Sequence, residues 1–368
     1  MKGISILIKP AGGMCNMRCR YCFYREERTG EGTDAGFMTE ETLRAVFAKL
    51  LPGVTGPCNI VFQGGEPTLC GINFFRCAAA LEREYAEPDA VLVNAIQTNG
   101  LCINDEWAEF LASEHFLTGI SLDGPRTVHD RYRVDAQGMG THARVMQAVR
   151  TLEKHGAEYN ILSVVTDGTC RNAEAVYRFF DREGLRWQQY IPAIGPYHEQ
   201  SGDALWLPDE DSYAAFLKTM FRLWSRDVQA GKPVHNRYFE NLLAVTSGKM
   251  PEACDMRGFC SPQYVIEADG TVYPCDFYCV EEWRLGSINT DSKQALDAAR
   301  ERFLRKIALP DACLTCRWQP LCRGGCRRRR SPATERDRFC GAYRSFFPYA
   351  YPILYRLSAA ALSGDKTT

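Results

Sequence analysis

Apolar positions along the chain switch between two periods. Short, β-rich runs at Ile4 to Ile8, Ile60 to Gln63, Val91 to Gln97, Leu117 to Ser121, Asn160 to Val165 and Arg186 to Pro192 read as six strands. Between them the spacing lengthens to the three-and-four repeat of a helical face. The clearest helix runs from Glu40 to Leu51, where Leu43, Val46, Phe47 and Leu50 share one side; others are predicted near Phe74 to Glu84, Asp105 to Ser113, Thr141 to His155 and Ala173 to Glu183. Strand and helix in regular alternation predict βα units around a parallel sheet, an α/β fold. An aromatic-rich helix from about Pro208 to Gln229 ends this pattern, and the chain beyond it is dominated by cysteine.

A chain of 368 residues exceeds the size of a single core, so one large domain and one smaller one are expected, and 45% hydrophobic residues suffice to bury both. The 44 basic and 45 acidic side chains nearly cancel, which removes any electrostatic case for nucleic acid or a membrane surface. No apolar stretch is long enough to span a bilayer. The 17 cysteines follow a start, Met1 to Pro10, whose apolar run is too short for a signal peptide, so a cytoplasmic chain with metal-binding thiols is expected rather than a disulfide scaffold. The six histidines fall in no metal pattern.

Cys15, Cys19 and Cys22 form a C-x3-C-x2-C loop after the first strand. Structural zinc closes its tetrahedron with a fourth Cys or His, and none follows before Cys58. Three thiolates on a four-iron cluster instead leave one iron open to another ligand. After the second strand comes Phe62-Gln63-Gly64-Gly65-Glu66-Pro67, whose paired glycines permit a close backbone approach. The third and fourth strands end in Gln97-Thr98-Asn99-Gly100 and Ser121-Leu122-Asp123-Gly124, polar clusters that either cap loops or face a ligand.

Nine cysteines lie between Cys254 and Cys340, among them Cys313-x2-Cys316-x5-Cys322-x3-Cys326 with Gly324 and Gly325 where the chain must reverse. All-cysteine shells suit zinc as well as iron–sulfur clusters. The run Arg327 to Arg330 reads as a solvated face or a contact with a peptide or cluster, and Cys58, Cys70, Cys77, Cys102 and Cys170 as small core residues.

The first cysteine loop, with the aromatic Tyr21 before its last ligand, resembles the signature of the radical S-adenosylmethionine superfamily. The resemblance implies a partial (β/α)6 TIM-like barrel in residues 1–235, consistent with six strands. It also implies a 4Fe-4S cluster on Cys15, Cys19 and Cys22 whose open iron chelates S-adenosyl-L-methionine, and a 5′-deoxyadenosyl radical that abstracts hydrogen. Gly64-Gly65-Glu66-Pro67 is similar to the superfamily's methionine-binding motif, which carries Gly64, Gly65 and Glu66 over as cofactor contacts. By position Ser121 and Arg133 reach the cofactor, with Tyr21 and Ile194 against its adenine or ribose. The cysteine-rich end, 236–368, resembles the SPASM extension. That implies one auxiliary 4Fe-4S cluster on Cys254, Cys260, Cys275 and Cys326, and a second on Cys313, Cys316, Cys322 and Cys340. Fully ligated clusters are left with electron transfer; Cys279 stays an unassigned thiol.

The segment Asp269-Gly270-Thr271-Val272-Tyr273-Pro274-Cys275-Asp276-Phe277-Tyr278 is similar, nearly residue for residue, to the anaerobic sulfatase-maturating enzymes, whose general base falls on Asp276. Trp283-Arg284-Leu285-Gly286 and Cys322-Arg323-Gly324-Gly325-Cys326-Arg327-Arg328 extend the likeness over nearly the whole chain. It implies oxidation of a cysteine or serine in a sulfatase polypeptide to Cα-formylglycine, fed by an electron donor such as ferredoxin or flavodoxin. Two other readings are a thioether-forming SPASM peptide modifier, disfavoured by Asp276, and a zinc-stabilised binding module without catalysis.

Overall fold

The computed structural model describes residues 3–24, 36–195, 197, 205–305 and 308–363. Strands β1 (Ile4–Ile8), β2 (Pro57–Phe62), β3 (Val91–Thr98), β4 (Leu117–Ser121), β5 (Tyr159–Val165) and β6 (Trp187–Pro192) pair in parallel and in chain order. Their register sets Ile8 against Phe62, Phe62 against Ile96, Thr98 against Ile120 and Ser121 against Leu162, so the loops after these strands open at one edge. That edge carries the first cysteine loop.

Helices form the crossovers where the apolar spacing requires them. Glu40–Leu50 buries Leu43, Val46, Phe47 and Leu50 and starts at Thr39, whose side chain accepts from the Thr42 N–H, one of the donors a helix start leaves unpaired. Asn104 likewise caps Asp105–Ser113 by accepting from Trp107 N–H. Short helices at Arg126–Tyr132 and Asp167–Arg171 escape the periodicity because a turn or two shows no face.

Two-residue and three-residue strands are equally invisible in sequence, yet they extend the sheet at both edges. β7 (His235–Asn236) pairs with β6, and β8 (Tyr264–Ile266) pairs in parallel with β1. β9 (Thr271–Tyr273) and β10 (Gly286–Ser287) continue antiparallel, giving ten strands among the described residues in the order β10-β9-β8-β1-β2-β3-β4-β5-β6-β7. The expected line between residues 235 and 236 therefore falls inside β7, and the C-terminal segment lies in the barrel's own sheet. β8 delivers Glu267 beside Lys9, whose N–H donates to Ile266 O at 2.8 Å.

Two apolar clusters hold this arrangement. The first joins β1 to β5 and their helices to Tyr264, Ile266, Val272, Ile288 and Leu296. The second packs the helix Glu210–Gln229 against Cys340–Ser363, with Phe221, Phe239 and Phe346 meeting largely edge to face at 5.2–6.1 Å between ring centroids. Each such buried ring contributes roughly 2–3 kcal/mol by area alone.

The arginines expected on a solvated face, or against a peptide or cluster, bind the protein's own groups, and Arg327 and Arg330 also line the cavity that holds Cys254, Cys260 and Cys326. Arg329 is buried and donates to Asp337 Oδ2 and Asp255 Oδ2, both at 3.0 Å. Arg327 lies 4.7 Å from the Trp283 and Phe303 ring centroids and donates to Phe303 O, while Arg328 donates to Gly195 O and Arg330 to Gly324 O. A loop-rich segment has many carbonyls without ladder partners, and five-donor guanidinium groups satisfy them. Of the cysteines expected in the core, Cys58 and Cys170 are buried, whereas Cys70, Cys77 and Cys102 are partly exposed.

Candidate active site

The cysteine loop and the Gly64-Gly65 turn are locked together by backbone. Gly65 N donates to Gly12 O and Glu66 N to Met14 O, both at 2.7 Å, and a Cβ on Gly65 would lie 1.9 Å from Met14 O. Gly64 has φ +114° and its Cβ would meet Gly12 O at 2.9 Å. The close approach that these glycines permit is thus to the loop carrying Cys15. Glu66 is fully buried, with Oε1 accepting from Thr68 N, Thr68 Oγ1 and Thr98 Oγ1 and Oε2 from Asn99 N, at 2.6–3.1 Å. It clamps the ends of β2 and β3 to each other.

Cys15, Cys19 and Cys22 stand together, partly exposed, and burial pushes the Cys19 thiol up to about 12 against the pull of Arg133, with Cys22 and Cys15 raising it further. Thiols that raise one another's pKa need a shared positive centre to be thiolates together, and iron supplies one.

Beside them Tyr21, Asp123 and Arg133 form a buried set. The Tyr21 hydroxyl donates to Asp123 Oδ2, Arg133 Nε donates to the same oxygen at 2.9 Å, and the Arg133 guanidinium lies 5.3 Å from the Tyr21 ring centroid. Val164 N donates to Asp123 Oδ1 at 2.9 Å, which ties the set to β5. Asp123 is therefore the hub that orients both residues. Ser121 accepts from Gln97 Nε2 at 3.1 Å and is, like Ile194, only partly buried at the same edge.

Asp276 arrives at this edge from the C-terminal segment and is buried. Its Oδ2 accepts from the Tyr24 hydroxyl at 2.6 Å and from Gln63 Nε2 at 3.0 Å. Among the described residues its buried Oδ1 accepts no hydrogen bond, and Lys9 Nζ stands 3.9 Å away. Lys9 is itself fully buried, pairs with Glu267, and lies 4.5 Å from the Tyr24 ring centroid. Burial raises the Asp276 pKa, with Lys9 and then Tyr24 holding it back and Glu267 adding to the rise. The result is a carboxylate in a dry setting with one acceptor oxygen to spare.

The remaining thiols sort into two groups. Cys254, Cys260 and Cys326 line an open cavity together with Gly258, Gly325 and Arg327. Cys275 is charge-coupled to Cys326 and Cys254, and Cys260 to the same two. Gly258 and Gly325 have φ of +80° and +64°, and a Cβ on Gly325 would lie 2.1 Å from Asp337 Oδ2, so only glycine turns the chain here. Cys322 couples to Cys340 and Cys313, and Cys313 to Cys316. Each group contains four thiols, the number that a fully ligated 4Fe-4S cluster takes. Cys279 turns its thiol back to Cys275 O at 3.8 Å.

Lys9, Tyr24, Gln63 and Asp123 are site residues that sequence reasoning passed over. Gln63 and Asp123 lie inside the polar motifs that end β2 and β4, and Tyr24 two places after Cys22, so adjacency is the signal; Lys9, at a strand end, gives none.

Comparison with known proteins follows the same division. The profile of the Radical SAM superfamily matches residues 10–180, and that of an iron-sulfur cluster-binding domain, SPASM, matches 258–317. A cysteine-type anaerobic sulfatase-maturating enzyme of Clostridium perfringens is 37% identical over 97% of this chain and 99% of its own length. A serine-type counterpart from Klebsiella aerogenes is 31% identical over 93% and 84%. The solved structure of native anSMEcpe with bound AdoMet and Kp18Cys peptide superposes with a TM-score of 0.92 at 36% identity, covering 97% of this chain and 99% of that one.

Proposed function

The chain belongs to the anaerobic sulfatase-maturating enzymes of the radical S-adenosylmethionine superfamily, and from that premise we propose which of its residues carry the reaction. It oxidises a cysteine or serine of a sulfatase polypeptide to Cα-formylglycine. Its cofactors are S-adenosylmethionine and 4Fe-4S clusters. When bound, these groups supply a radical that removes a hydrogen atom from the target Cβ and a sink for one further electron.

Cys15, Cys19 and Cys22 hold the cluster that meets the cofactor, while Cys254, Cys260, Cys275 and Cys326, and Cys313, Cys316, Cys322 and Cys340, hold the two auxiliary ones. Residues 1–235 serve the radical chemistry and 236–368 the auxiliary clusters. Gly64 and Gly65 shape the cofactor's methionine end. Tyr21, Ser121, Arg133 and Ile194 line its nucleoside end, with Asp123 fixing Tyr21 and Arg133 and Glu66 fixing the strand ends beneath.

Asp276 takes the proton of the target thiol or hydroxyl. What supports this role is the buried carboxylate whose Oδ2 is held by Tyr24 and Gln63 while Oδ1 accepts no hydrogen bond among the described residues. Its raised pKa makes it a stronger base than a solvated aspartate. For a cysteine target the balance is one hydrogen atom from Cβ, one proton to Asp276 and one electron, which the auxiliary clusters, when bound, would accept. Water then exchanges the thioaldehyde for an aldehyde with loss of hydrogen sulfide.

Among the described residues no helix is long and apolar enough to cross a membrane. We place the reaction in an anaerobic cytoplasm, with a ferredoxin or flavodoxin as donor of the first electron. The test is to incubate the anaerobically reconstituted protein with S-adenosylmethionine, reductant and a peptide containing Cys-x-Pro-x-Arg or Ser-x-Pro-x-Arg, then weigh the peptide. Replacement of the thiol or hydroxymethyl group by an aldehyde is the expected result. Formation of 5′-deoxyadenosine with both peptides intact would rule out this substrate class.

A further inference from the structure

The side chain of Asn99 at the end of β3 is aimed at a cluster thiol with no freedom to turn. Its backbone N–H is bonded to the fully buried Glu66 at 2.7 Å, and its Oδ1 accepts from Leu101 N at 2.9 Å. An amide with its oxygen committed to a backbone donor has its NH2 assigned by elimination. That Nδ2 donates to Cys15 Sγ at 3.6 Å and to Asn16 Oδ1 at 2.7 Å. Asn16 in turn donates from Nδ2 to Cys102 Sγ at 3.5 Å, which keeps its own oxygen facing Asn99. Cys102 thus props a directional chain that ends on the first cluster's ligand.

We propose that Asn99 is a positioning residue that sets the reduction potential of the cluster on Cys15, Cys19 and Cys22 by donating a hydrogen bond to Cys15 Sγ, with Asn16 and Cys102 holding it in register. The inference rests on the assignment of those three cysteines as cluster ligands. Reduction adds one electron to the cluster and places negative charge on its sulfur ligands, so a donor N–H stabilises the reduced form more than the oxidised one. A buried donor does this most effectively, and Asn99 is 7% exposed. Met17 N also donates to Cys15 Sγ, at 3.3 Å, but as a backbone group it comes with the loop. Asn99 is the adjustable member, because the same end of β3 carries it and clamps it.

The experiment is an EPR-monitored potentiometric titration of the anaerobically reconstituted full chain, following the reduced-cluster signal that changes when S-adenosylmethionine is added. In Asn99→Ala the midpoint of that signal moves to more negative potential. The reduced fraction falls several-fold at the potential where the unmodified cluster is half reduced, and the signals that do not respond to S-adenosylmethionine stay in place. Cys102→Ala, which leaves the donor but removes its prop, gives a smaller shift of the same sign. It decides the matter should Asn99→Ala fail to load iron. An unmoved midpoint with the cluster loaded, or an equal shift in every cluster signal, overturns the proposal. Absence of any S-adenosylmethionine-responsive signal from iron-loaded unmodified protein overturns the ligand assignment itself, and the proposal with it.

Discussion

The Tyr24 hydroxyl donates to Asp276 Oδ2 at 2.6 Å across 252 residues of sequence. That bond joins the loop of Cys15, Cys19 and Cys22 to the segment that carries Cys275, and Gln63 closes the triangle by donating to both oxygens at 3.0 Å. The Asp276 carboxylate, proposed as the base, is thereby positioned by the barrel although it belongs to the C-terminal segment.

Tyr24→Phe deletes one donor to the base while Gln63 remains. The deleted bond holds the carboxylate in place, and misplacing a reacting group by about 1 Å can cost on the order of a hundredfold, so the partial loss here should slow formylglycine formation roughly tenfold. Cleavage of S-adenosylmethionine in the same samples, read as 5′-deoxyadenosine, should change little. A parallel fall in both would place Tyr24 in cofactor binding instead.

Gly65→Ala tests the lock between the two loops. A Cβ 1.9 Å from Met14 O cannot be accommodated without moving backbone, so the cysteine loop must shift. Iron content and visible absorption should drop in part, since the eight C-terminal thiols proposed as auxiliary ligands are untouched, while S-adenosylmethionine cleavage should be lost. Full iron loading with normal cleavage would show that the loop relaxes freely.

Sequence and structure agree where a period or spacing carries the information. β4 spans Leu117 to Ser121 in both, and Leu43, Val46, Phe47 and Leu50 are the buried face of their helix. The cysteine loop was legible because its ligands lie within eight residues of one another. What could not be read was pairing at long range. β8 has three residues, too few for alternation, yet its parallel pairing with β1 brings Glu267 to Lys9 and Asp276 to Gln63. The burial of Arg329 was not legible because a run of one sign looks solvated, while Asp255 and Asp337, which bury it, lie outside the run.

Glu82 gives the fold a pH dependence. It is 1% exposed, with Asn94 Nδ2 donating to its Oε2 at 2.7 Å, and burial pushes its pKa up to about 7. Because the folded pKa lies above the unfolded one, the unfolded chain gives up its proton first as pH rises, and stability falls between about pH 4.5 and about pH 7. The full loss is roughly 3 kcal/mol. Glu82→Gln keeps an acceptor for Asn94 without the charge, so urea midpoints at pH 8 should be higher in the variant and should converge at pH 5. Indistinguishable midpoints at both pH values would show that Glu82 ionises without cost.

Arg329→Met leaves Asp337 and Asp255 without their shared cation in a region where Asp337 is 4% exposed. Removing one partner of a buried pair costs about 3–5 kcal/mol. Urea unfolding followed by loss of cluster absorbance should begin at lower denaturant, and an unchanged midpoint would mean that water replaces the guanidinium.

Asp276→Asn puts the central claim to the most direct measurement: the ratio of formylglycine peptide to 5′-deoxyadenosine produced by the same reconstituted sample. Asparagine keeps an oxygen for Tyr24 and Gln63 but cannot take a proton. The account predicts continued 5′-deoxyadenosine formation with formylglycine reduced about a hundredfold or more, the usual contribution of a general base. A ratio equal to that of the unmodified enzyme would contradict it.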